Sequence, residues 1–174
     1  MNLFKIGTPL IEVIDKISES NISSQSKNCI INFCRSELEY GDSTISNELE
    51  LAMINSWFLD EKNIRMPVIS DKYKLADNFS AGNKIFEEYK SPDGERILRC
   101  VSFDNEGNIN KVRLSYSPCS LKDMLENGGV EDIFIDYNND GFVNARTIQK
   151  TTVDEKGIKS SKMLYDTNLD GKFD

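Results

Sequence analysis

Ile133-Phe134-Ile135-Asp136-Tyr137-Asn138-Asn139-Asp140-Gly141-Phe142-Val143-Asn144-Ala145-Arg146-Thr147-Ile148 sets strand formers on both sides of a cluster of turn residues. Branched and aromatic side chains favour the pleated, extended backbone, whereas Asp, Asn and Gly favour a tight bend. The stretch therefore reads as strand, loop, strand. Upstream, Val112, Leu114 and Tyr116 alternate with Lys111, Arg113 and Ser115, the period of a half-buried strand. Pro92-Asp93-Gly94, Asp104-Asn105-Glu106-Gly107-Asn108 and Asp154-Glu155-Lys156-Gly157 mark further turns at even intervals. The pattern predicts an antiparallel β-meander over 81–174.

One short helix interrupts that meander. Ser120-Leu121-Lys122-Asp123 has the form of a capping box, Leu121, Met124 and Leu125 share a face, and Asn127-Gly128-Gly129 stops the helix. If the helix only returns the chain for another antiparallel strand, consecutive connections alternate between the two ends of the sheet. Asp104, Glu106, Asp136, Asp140, Asp166 and Asp170 then gather along one acidic edge.

The first 80 residues read as mainly helical. Thr8 caps a helix that starts at Pro9 and lines Leu10, Ile14 and Ile17 on one face. Ser20 to Lys27 reads as a loop, and Cys29 to Cys34 leans towards helix. A stronger helix starts near Ser43 or Thr44, carries Ile45, Leu49, Ala52, Met53 and Trp57 on one stripe, and ends around Asp60. From Asn63 the periodicity stops, and Pro67 forces an extended connection. The whole is expected to be an α+β chain: a helical region over 1–80, then the meander.

Asp136-Tyr137-Asn138-Asn139-Asp140-Gly141 recurs as Asp166-Thr167-Asn168-Leu169-Asp170-Gly171. Oxygen-bearing side chains at positions one, three and five of such a loop converge on a point suited to a hard cation, and the glycine permits the sharp turn. Asp, Asn and Gly are also ordinary hairpin-turn residues, so a metal-free turn is the competing reading.

Both segments resemble calcium loops of the EF-hand and dockerin type. That resemblance implies Ca²⁺ held by Asp136, Asn138, Asp140, the Phe142 carbonyl and Asn144, and in the second copy by Asp166, Asn168, Asp170, the Lys172 carbonyl and Asp174. The bidentate acid of position twelve is missing, since Thr147 stands there in the first loop and the second does not reach it. Affinity is then expected to be about 10⁻⁴ M or weaker. Strand formers flank the loop where the family has helices, so the ligand geometry carries over and the fold does not. Phe103-Asp104-Asn105-Glu106-Gly107-Asn108-Ile109 also resembles the unit of YD-type hairpin repeats, which implies a repeated hairpin and no activity.

Bulk properties narrow the function further. A net charge of -8 with no basic stripe argues against nucleic acid and anionic membrane as partners. No apolar run approaches the roughly 20 residues of a membrane-spanning helix, and Glu12, Asp15 and Lys16 break any secretory core near the start. The expected location is cytoplasmic, or outside the cell by a leaderless route. Cys29, Cys34, Cys100 and Cys119 have no zinc-site spacing and read as core or surface thiols. The chain has no histidine, so Gly41-Asp42-Ser43, which resembles the nucleophile block of GDS-type esterases, lacks the base it needs. A histidine-free hydrolase would need two facing carboxylates in a cleft. The expected function is a non-catalytic calcium-binding interaction module, whose acidic turns order a rim for an unknown protein or glycan. The alternative is a metal-independent hairpin-repeat protein that binds another polypeptide, as an exported effector or a partner-neutralising protein.

Overall fold

The computed structural model describes residues 3–59 and 63–173. They form two compact units, Met1–Pro67 joined by Asp166–Asp174, and Val68–Tyr165. The fold class is α+β, with helices first and an antiparallel sheet after them.

The first unit holds α1 (Leu10–Ser18), α2 (Ser24–Tyr40) and α3 (Glu48–Phe58). Leu10, Val13 and Ile17 make the buried stripe of α1, with Ile14 only half-buried. Thr8 does not cap this helix. Its hydroxyl accepts Lys5 N–H at 3.1 Å, while Pro9, still extended at ψ 134°, occupies the cap position and forms an isolated bridge with Thr44. That bridge also moves the start of α3. Ile45 N–H donates to Thr8 O and Gly7 N–H donates to Ile45 O, so Ser43 to Ile45 are held extended and Ile45 is buried ahead of the helix.

Asn47 caps α3 instead, accepting Glu50 N–H at 2.9 Å, while Glu50 Oε2 accepts Ser46 N–H at 3.0 Å. This is a variant of the reciprocal capping box. The helix ends at Phe58, and Asp60 lies outside the described residues. α2 begins inside the polar run expected to be a loop, because Ser23 caps it by accepting Ser26 N–H at 3.2 Å. Those polar residues form its cap and first turn. Ile30, Phe33, Cys34, Leu49, Met53 and Trp57 are buried in this unit, with Phe33 and Trp57 tilted together at 6.1 Å. Each such side chain stabilises the fold by roughly 1.5–3 kcal/mol.

The second unit carries the sheet: β1 (Lys74–Ala81), β2 (Lys84–Lys90), β3 (Arg96–Phe103), β4 (Ile109–Ser117), β5 (Gly129–Asp136), β6 (Ala145–Val153) and β7 (Lys159–Asp166), in that spatial order. The sheet starts before residue 80, inside the stretch expected to be the connection that closes the helical region. β1 is exposed along its whole length, so no alternation of apolar and polar residues marks it in the sequence.

α4 (Leu121–Asn127) interrupts the meander as expected, with Ser120 Oγ accepting Asp123 N–H at 3.2 Å. β4 and β5 are nonetheless antiparallel neighbours, pairing Val112 with Asp136 and Leu114 with Phe134. Connections therefore alternate. The turn at 104–108 and the loop at 137–144 open at one end of the sheet, and the turns at 91–95 and 154–158 open at the other. Among the described residues no helix is long and apolar enough to cross a membrane.

Candidate functional site

β5 ends on Asp136, whose side chain is buried, and the first loop folds around that carboxylate. Asp136 Oδ1 accepts the backbone N–H groups of Asn138 and Asp140, each at 3.3 Å, and Oδ2 accepts that of Gly141 at 2.8 Å. Asp140 Oδ1 then accepts Phe142 N–H at 3.0 Å. Two residues take left-handed backbone to allow this, Asn139 at φ 55° and Gly141 at φ 87°.

Asp166 and Asp170 repeat three of these bonds at matching positions. Asp166 Oδ1 accepts Asp170 N–H at 3.2 Å, its Oδ2 accepts Gly171 N–H at 3.0 Å, and Asp170 Oδ1 accepts Lys172 N–H at 2.8 Å. The left-handed positions are Leu169 at φ 56° and Gly171 at φ 86°. Leucine gains nothing from that region and costs roughly 1–2 kcal/mol there, so the loop imposes it. Asn168 accepts Asp170 N–H through Oδ1 and donates Nδ2–H to Asp170 Oδ2, both at 3.2 Å. Positions three and five thus face each other.

A plain turn of this chain looks different. Asp104 and Asp154 are exposed, and each uses only Oδ1, to accept the N–H groups two and four residues on, at 2.8 to 2.9 Å. Asp136 and Asp166 are buried, use both oxygens and reach five residues on. The longer loops need one more left-handed residue than the plain turns do. An Asp carboxylate offers about four lone-pair directions, so Asp136 keeps one after its three N–H bonds.

The later positions are less uniform. The N–H groups of Phe142 and Lys172, at position seven, are held by the carboxylate at position five. Asn144 Oδ1 accepts Tyr137 N–H at 2.6 Å, which turns position nine back over the start of the loop. Asp174 lies outside the described residues. Thr147, at position twelve, is buried in β6 opposite Ile133 and supplies no carboxylate. The donor set is oxygen only, the kind hard divalent cations take. Of the residues expected on one acidic edge, Asp104, Glu106, Asp136 and Asp140 come to the same end of the sheet, and Asp166 closes β7 at that end, while the loop from Asp166 through Asp170 is grouped with the helical unit.

Two charged arrangements carried a weaker sequence signal. Glu37, Asp42 and Glu50 bring carboxylate oxygens within 4.8 Å of one another at the junction of α2 and α3, with both glutamates buried. Glu37 lies on the apolar stripe of Ile30, Phe33 and Cys34, and Asn47-Glu48-Leu49-Glu50 has the spacing of a capping box; either could have been noticed. The cluster acts on its neighbours. Burial first, then Glu37 and Glu50, push the Cys34 thiol up to about 12, and burial with Glu37 and Asp42 raises the Tyr40 phenol.

The second arrangement lies in the sheet. Arg146 is fully buried and grips Asp132 with two bonds, Nε to Oδ1 at 2.9 Å and Nη2 to Oδ2 at 3.0 Å, and its guanidinium lies 5.9 Å from the Phe134 ring centroid. The register that pairs Arg146 with Phe134 turns both side chains to the same face. No family model matches the chain, and neither a curated protein nor a solved structure is significantly similar to it.

Proposed function

We propose that this chain is a non-catalytic module whose two Asp-x-Asn-x-Asp-Gly loops bind a divalent cation of the calcium kind. The ligands are Asp136, Asn138, Asp140 and the Phe142 carbonyl in the first loop, with Asn144 acting through water, and Asp166, Asn168, Asp170 and the Lys172 carbonyl in the second. What supports this most is the frame the two loops share, three backbone N–H bonds to carboxylates and two left-handed residues at matching positions, with Leu169 held in a backbone region it does not favour. Loops that merely turned the chain would be served by the shorter Asp104 arrangement. A cation at the first loop would lessen the repulsion among Asp104, Glu106, Asp136 and Asp140, and the rim so ordered would present a fixed surface to a protein or glycan.

Calorimetric titration with calcium tests the reading, with Asp136→Ala and Asp166→Ala as controls. At about 10 mM calcium and a Kd of about 10⁻⁴ M, each site adds roughly 2.7 kcal/mol of stability, visible as a raised Tm. Loss of the effect in the double variant supports the loops. Binding that survives both substitutions points to the Glu37, Asp42 and Glu50 cluster and overturns the assignment.

A second reading, metal-independent protein binding, draws on β1. This strand is the last of the sheet on its side, is exposed throughout, and carries Leu75 and Phe79 half in solvent, the latter stacked on Phe86 at 4.9 Å. Such an edge can accept a further strand. A protein whose Tm is indifferent to calcium and magnesium favours it over the cation reading.

A further inference from the structure

The two loops share a backbone and differ in what holds them. The first is strung between β5 and β6, whose pairing runs from Gly129 with Thr151 to Ile135 with Ala145. Its Gly141 has open space around it: a side chain added there would meet nothing within 4 Å. The second loop belongs to the helical unit, which the chain leaves at Pro67 and rejoins at Asp166. Gly171 is seated on α2 so closely that an added Cβ would lie 2.2 Å from Cys29 O and 2.7 Å from Phe33 N. Asn32 Nδ2 on the same helix donates to Asp170 O at 3.3 Å, and Phe173 sets its ring 6.5 Å from that of Tyr40.

We propose that the segment 166–173 is a cation-controlled clasp: filling the second loop and closing the segment over α2 are one linked event. The idea rests on the cation reading of that loop. The linkage is built into two residues. Asp170 supplies a cation ligand through its side chain and a carbonyl to Asn32, and Gly171 must take its left-handed turn both to reach Asp166 Oδ2 and to fit against α2. An ion that fixes Asp166, Asn168 and Asp170 fixes the backbone that α2 receives. Docking in turn presents the loop in its ligand-ready form. By thermodynamic reciprocity each raises the affinity of the other. The first loop is ordered by its own strands, and among the described residues nothing seats its Gly141 as α2 seats Gly171.

The duplicate loops provide the control. Calcium affinity of the second loop is measured by calorimetry in the full chain carrying Asp136→Ala, with and without Gly171→Ala; that of the first loop is measured in the chain carrying Asp166→Ala, with and without Gly141→Ala. Both glycine substitutions impose the same φ strain, but only one collides with a helix. Gly171→Ala is expected to weaken its loop at least about tenfold more than Gly141→Ala weakens the other. Asn32→Ala keeps every ligand and serves if Gly171→Ala does not fold; it is expected to weaken the second loop a few-fold and leave the first unchanged. Helix melting followed at 222 nm should rise further with calcium in Asp136→Ala, which keeps the second loop, than in Asp166→Ala, which keeps only the first. Equal losses at the two glycines, together with no effect of Asn32→Ala, overturn the clasp while leaving the cation sites standing. If neither single-loop chain binds calcium, the cation reading itself falls.

Discussion

Loop 136–141 hangs between two hydrogen-bonded strands, while loop 166–171 lies against the side of a helix, and both adopt the same turn. The local conformation is therefore set by the loop's own Asp, Asn and Gly residues, since surroundings so different do not alter φ by more than a degree at the left-handed positions. What the surroundings change is the consequence of disturbing it. In the sheet, a damaged loop still has β5 and β6 on either side. In the helical unit, a damaged loop removes part of the packing of α2.

The largest expected effect comes from alanine at the two closing glycines. At Gly171 a Cβ meets main-chain atoms of Cys29 and Phe33, which cannot move without unwinding α2, so Gly171→Ala should cost about 3 kcal/mol or more. At Gly141 only the φ of 87° opposes alanine, and about 1 kcal/mol is expected. Denaturant midpoints measure both. Equal costs would mean that the second loop is not seated on the helix as described.

Next in size is the contrast between a buried loop aspartate and an exposed turn aspartate. Asp136→Ala strands three backbone N–H groups inside the loop and should cost about 2 kcal/mol, whereas at Asp104 water replaces the carboxylate and about 0.5 kcal/mol is expected. Similar values would reduce the long loops to ordinary turns. In the same range but with opposite sign, Leu169→Gly should stabilise the chain by up to about 1 kcal/mol by removing the left-handed strain, while Asn139→Gly changes little.

How far these features were legible depends on whether local chemistry decided them. The meander could be read because Asp104 and Asp154 make their turns with neighbouring backbone, and because Val112, Leu114 and Tyr116 face one way. The helix at Ser120 was equally local. Thr8, Ser43 and Thr44 misled because a non-local bridge between Pro9 and Thr44 took the backbone that a cap would have used. β1 was illegible because exposed residues on both faces leave no period. In the candidate site the loops themselves were visible, but their unequal surroundings were not. The fit of Gly171 against Cys29 depends on a contact across most of the chain, which no spacing rule encodes.

The smallest effects separate the two units by pH. Cys34, in the helical unit, is pushed from 9.0 to about 12 by burial and its two glutamates. A raised thiol leaves stability intact below pH 9 and removes it as pH climbs towards 12, so the helical signal should weaken in alkali, and less so in Cys34→Ala.

Glu87, in the sheet, shifts the other way: the Tyr89 hydroxyl at 2.6 Å and Arg99 at 2.7 Å hold it below its ordinary 4.5, against a smaller opposing effect of burial. A lowered carboxylate contributes above its unfolded value and loses that contribution as pH falls through the folded one. Because both partners are about a quarter to a third exposed, solvent screens the pair, and only a few tenths of a kcal/mol, roughly, are at stake. Comparing Glu87→Gln with the parent chain between pH 6 and 3 should show the two stability curves converging as the acid limb is reached. Curves that stay parallel would mean that the Tyr89 bond, which keeps a partner in the glutamine, accounts for all that Glu87 does in the sheet.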